Sequence, residues 1–157
     1  MNVAASPITR SNSLAVPILV GGLIAGTFDA IAAILTYGWG MARGIASGLL
    51  GARALTGGAG VWLLGLALHF FIAVSAAAIY CYSSRRLTFL REHFLVCGIF
   101  YGIAIYLVMN LVVVPLSAFP FPVGPFTARA LYQGLLIHMI FIGLPIAAGL
   151  RFFSKPA

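Results

Sequence analysis

Four apolar runs, at about 14–37, 60–82, 94–117 and 130–152, fill most of this chain and leave it few folds. Each matches the roughly 20 residues a helix needs to cross a hydrocarbon layer about 30 Å thick. Inside such a layer the backbone must satisfy its own hydrogen bonds, which a helix does within one segment. The expected fold is all-α: an integral membrane four-helix bundle, one domain over residues 14–153. Short flexible tails, 1–13 and 154–157, flank it. Composition points the same way. The chain is 62% hydrophobic and 7% charged, against roughly a quarter charged in soluble domains.

The ends of the runs carry their own punctuation. Pro17 suits a first helical turn, where a missing N–H does little harm. Trp39, Trp62, Tyr80 and Tyr82 stand where amphipathic rings favour a membrane interface. Pro115 is expected to end the third span and Pro145 to kink the fourth. Pro120, Pro122 and Pro125 predict a stiff, extended loop between them. Residues 40–59 are glycine-rich and too short to span; between Arg43 and Arg53 they predict a short helix lying in the interface. Arg10 ahead of an apolar run resembles a signal peptide, but that run is long and carries Asp29, so an uncleaved first helix is expected.

The nine Arg and Lys residues face only two acids, Asp29 and Glu92. They form no basic stripe and no nucleic-acid module, so nucleic acid is not an expected partner. Six of them (Arg10, Arg85, Arg86, Arg91, Arg151 and Lys155) lie in the tails and the middle loop. Three (Arg43, Arg53 and Arg129) lie in the other two loops. By the positive-inside rule both termini are cytoplasmic, in a multi-pass protein of the cell inner membrane. The bilayer is then the first partner, with a second copy or another membrane protein as further candidates. Cys81 and Cys97 have no CxxC spacing and read as packed thiols.

Small residues mark the helix faces. Gly22, Gly26, Asp29 and Ala33 follow at helical spacing, as do Gly65, His69, Ala73, Ala76 and Tyr80. Gly98 and Gly102 form a GxxxG pair, and Gly134, His138, Phe141, Pro145 and Gly149 share a face. Gly22, Gly26, Gly65, Gly98, Gly102 and Gly134 are the expected points of close helix approach.

Asp29, His69, Asn110 and His138 place one polar side chain in each span. A rise of about 1.5 Å per residue puts all four roughly 3–7 Å outward of the bilayer centre. They are expected to meet in one layer, with Thr27 and Tyr106 completing its hydrogen bonds. Carboxyl and imidazole groups inside a membrane are costly and often mark pathways for protons or solutes. The layer therefore predicts a proton-linked route for an ion or small solute, or a pH-responsive protein. The alternative is a structural or partner-binding subunit whose polar layer only holds helices together. No cofactor is expected; a metal at Asp29, His69 and His138, or haem between His69 and His138, is the chemical alternative. His93 reads as a solvated headgroup contact. No nucleophile elbow, P-loop, dinucleotide fingerprint or HExxH is present in the sequence, which makes an enzyme the less favoured class.

The GLIAG of Gly22–Gly26, the stretch LHFFIAVSAAAIY, a glycine-bearing third run ending in proline, and the GLLIH of Gly134–His138 together resemble the YagU-like family of small bacterial inner-membrane proteins. That resemblance implies a four-helix inner-membrane fold and a connection with acid stress. The first loop here is shorter than in that pattern, and Asp29 has no counterpart in it.

Overall fold

A computed structural model describes residues 13–122, 124 and 127–154. Arg10, Pro125, Lys155 and most of both tails lie outside the described residues. Four helices are long and apolar enough to cross a membrane: α1 (Ala15–Tyr37), α3 (Ala59–Ser83), α5 (Phe94–Leu116) and α6 (Ala128–Phe153). Between α1 and α3 lies α2 (Met41–Leu50), followed by a 3-10 turn at Gly51–Thr56; α4 (Phe89–Glu92) is a single turn before α5. Among the described residues there is no strand.

Helix α1 is the shared wall. One side packs on α3 and the other on α6, while α5 packs on the far side of α6. A Cβ on Gly22 would lie 2.8 Å from the Cα of Val74 in α3, and one on Gly149 of α6 would lie 2.8 Å from the Cα of Gly21. Gly26 faces Phe70 and Ala73, and Gly134 faces the ring of Tyr106. On α5, Gly98 and Gly102 admit the α6 backbone at Gly143 and His138. The bundle is tightest at the end nearest Leu14 and Ser154. There Tyr80, Ala76, Ala77, Ile142, Ile146 and Leu150 form the core. Tyr101 of α5 closes that end by donating to the Ala76 carbonyl of α3 at 2.7 Å, its ring 4.8 Å from that of Tyr80. Tyr80 is buried, and its hydroxyl donates to the Leu90 carbonyl at 2.9 Å. Arg91 donates to the Ser154 carbonyl at 3.0 Å, joining the middle loop to the end of α6.

The connector between α1 and α3 departs from the expectation of a helix lying flat on the surface. Gly38 and Gly51, both at positive φ, bound α2, a conformation that favours glycine. Ala42 and Ser47 are fully buried. Gly65 of α3 lets the α2 backbone at Ala42 come in so closely that any side chain there would meet it. The Trp62 indole donates to the Trp39 carbonyl at 2.8 Å, and the Ala118 N–H to the Gly48 carbonyl at 2.8 Å. α2 is therefore packed between α3 and the segment after α5.

Helix α5 stops one residue past Pro115, as expected, while α6 continues past Pro145 to Phe153. Each proline is preceded by a π-helical segment, Met109–Val113 and His138–Gly143, in which Val114 and Leu144 donate five residues back, to the carbonyls of Met109 and Met139. Proline offers no N–H to the carbonyl four residues earlier and its ring crowds that group. A widened turn relieves the crowding. The extra residue also rotates the buried face of α6. Ile142 and Ile146 are buried, while Phe141 and Pro145, expected on that face, are only partly buried.

Large apolar side chains cover the outside of the helices; Leu35 is 82% exposed, Leu116 83% and Phe71 69%.

Candidate functional site

The looser end of the bundle holds a cavity of about 690 Å³ between α1, α2, α3 and α5. The α2 connector makes one wall through Met41, Gly44, Ile45 and Gly48, and Phe119 and Phe121 lie at its edge. Asp29 of α1 and His69 of α3 both line it. Their placement follows from the helix faces. Gly22 and Gly26 bring α1 against α3, and Asp29, one turn further on, emerges where the two helices part to admit α2. Ala33 continues that stripe along the cavity wall.

His69 is buried and its Nε2 lies 2.8 Å from the carbonyl oxygen of Gly26. A carbonyl only accepts, so Nε2 carries the proton and Nδ1 is the acceptor whenever the ring is neutral. The Phe70 ring stands edge-on to it at 5.4 Å. Asp29 is half-buried. Among the described residues no hydrogen bond and no ion pair reaches its carboxylate, and no Arg or Lys lines the cavity. Ser117, also in the lining, spends its hydroxyl locally: it donates to the Val114 carbonyl at 2.7 Å and accepts from the Phe119 N–H at 3.2 Å.

The expected single polar layer separates into two groups. Asp29 and His69 share the cavity; Asn110, Tyr106 and His138 stand outside its lining. Asn110 donates to the Tyr106 carbonyl at 2.9 Å, and His138 Nδ1 to the Gly134 carbonyl at 2.9 Å, each within its own helix. The His138 ring rests against that of Tyr106, centroids 5.2 Å apart. Thr27 is exposed and donates to the Leu23 carbonyl of its own turn at 2.8 Å. The carbonyl one turn back is always within reach of such side chains, so none of them needs a partner across the bundle. Asp29, His69 and His138 do not form a metal-holding group, and no other His, Cys, Asp or Glu cluster does so among the described residues. His93 is exposed at the other end of the bundle.

Two polar features had no clear signal in the sequence. Gln133 donates to the Thr36 hydroxyl at 3.3 Å, linking α6 to α1. Arg43 has its Nε buried without a hydrogen-bond partner among the described residues. No protein-family model, curated protein or solved structure matches the chain, and none supports the resemblance to the YagU-like family.

Proposed function

We propose that this is a multi-pass protein of a bacterial inner membrane, with both termini cytoplasmic, whose cavity at Asp29 forms a proton-exchanging site for a small solute. Four long apolar helices with exposed Leu and Phe on their outer faces support membrane embedding. The six-to-three distribution of basic residues supports the orientation. One observation carries the functional part: the Asp29 carboxylate lines a cavity and has no partner of its own among the described residues. A carboxylate in apolar surroundings must take up a proton or a counter-charge. Alternate gain and loss of that proton is the simplest means by which such a cavity couples to pH.

A second reading is favoured by the other half of the former layer. His138 and Asn110 are satisfied inside their own helices, as expected of side chains that only pack, so the α5–α6 half acts as structural support.

The test is proton flux into proteoliposomes loaded with a pH-sensitive dye. Protein-dependent flux that disappears in Asp29→Asn and survives in Asn110→Ala supports the reading. Flux unchanged by Asp29→Asn, or no flux from the intact protein, refutes it.

A further inference from the structure

We propose that the cavity at Asp29 takes a lipophilic organic cation: one positive charge, without strong hydrogen-bond demands, on an apolar body. This rests on the reading that the cavity is the functional site, and adds the chemistry of its occupant.

Three observations carry it. The first is charge. Among the described residues Asp29 is the only carboxylate in the lining, and no lysine or arginine lines the cavity. An anion would meet an uncompensated carboxylate, whereas a cation supplies the counter-charge that the protein withholds. The second is the shortage of donors. The side chains that could hydrogen-bond a neutral polar solute are mostly committed: the His69 N–H to Gly26 and the Ser117 hydroxyl to Val114. What remains is the Asp29 oxygens, Nδ1 of neutral His69 and the Tyr37 hydroxyl, so acceptors outnumber donors. A sugar or amide would leave part of its own hydrogen-bonding unmet. The third is the wall. Leu68, Ile72, Met109 and Val113 line it, and Tyr37, Phe119 and Phe121 add aromatic rings. Aromatic faces attract cations, quaternary ammonium groups above all. A volume of about 690 Å³ falls within the roughly 300–1,000 Å³ of ordinary small-molecule sites.

Proton and cation compete for the same carboxylate; among the described residues the other titratable side chains in the lining are Tyr37 from α1 and His69 from α3.

The experiment uses the full chain in nanodiscs of zwitterionic lipid, with empty nanodiscs as blanks. Binding of tetraphenylphosphonium and of tetraphenylborate, ions of matched shape and opposite charge, is measured by equilibrium dialysis at pH 8. Saturable binding of the cation alone is expected, at least ten-fold weaker in Asp29→Asn. A second variant, Gly44→Phe, keeps the charge and fills the cavity, since nothing lies within 4 Å of where its Cβ would sit; it too is expected to lose binding. Equal binding of both ions overturns the proposal, as does cation binding that either folded variant leaves intact. Proton flux that depends on Asp29, together with no preference for the cation, overturns the ligand class alone. Selective cation binding without flux upholds it and removes only the coupling.

Discussion

Replacing Gly65 by alanine tests whether α2 is truly part of the bundle. The added Cβ would fall 2.5 Å from the carbonyl carbon of Ala42 and 3.1 Å from its Cα. Both neighbours are backbone, so no side-chain rotation relieves the overlap. The Ala42 carbonyl oxygen is nearer still, so restoring ordinary contact at about 3.4 Å or more requires α2 and α3 to separate by well over about 1 Å. Overpacking of this kind costs about 1–3 kcal/mol, and alanine in a helix returns at most about 1 kcal/mol over glycine. The net loss is then up to about 2 kcal/mol, and about 1–3 kcal/mol relative to a helix position that gains the same propensity without the overlap. At about 2–4 °C per kcal/mol for a chain of this size, the melting temperature falls by up to about 8 °C. Gly60→Ala is the control, in the first turn of the same helix, with nothing within 4 Å of its Cβ; it is expected to be neutral or slightly stabilising. Thermal unfolding followed by circular dichroism in detergent reads both. A Gly65→Ala protein as stable as the Gly60→Ala control would refute the close approach, and with it the α2 wall of the cavity.

The other predictions concern single contacts. His69→Phe keeps the ring volume and removes the bond to Gly26, so a loss of about 0.5–1 kcal/mol in the same melting assay is expected. Tyr101→Phe strands no new donor but removes the link to Ala76, and a similar drop of about 0.5–1.5 kcal/mol is expected; an unchanged melt would mean that α5 and α3 are not joined there. Asp29→Asn removes an unpartnered half-buried charge and should melt no lower than the parent, whereas a drop of 2 kcal/mol or more would reveal an ion pair at Asp29. Cys81 is fully buried and Cys97 partly exposed, so mass spectrometry after brief maleimide treatment should find Cys97 modified first.

How much of this was legible in the sequence depended on helix regularity. Helix α3 is uninterrupted, and Gly65, His69, Ala73, Ala76 and Tyr80, all at helical spacing, are all buried. The Gly22–Gly26–Asp29–Ala33 stripe of α1 likewise runs from the α3 contact into the cavity. In α6 the same periodic reading drifts, because the π segment before Pro145 inserts a residue that a constant 3.6 period does not allow for. The proposed meeting of His138 and Asn110 with Asp29 failed for another reason. Matching depth does not fix rotation, and a carbonyl four residues back competes with any partner across the bundle. The burial of α2 was hidden too. Gly65 read as a close-approach site, but nothing in the spacing said that α2, rather than another long helix, would fill the notch.

The widened turn in α6 makes this helix unusually forgiving of one kind of damage. Dropping a residue from an ordinary buried helix swings everything beyond the gap by about 100° and turns core to lipid. Between His138 and Gly143 one residue is surplus to a regular coil. A shortening there should leave Gly134 still seated on Tyr106 and Ile146 still inside, at the cost of crowding Pro145 against the carbonyl four residues back.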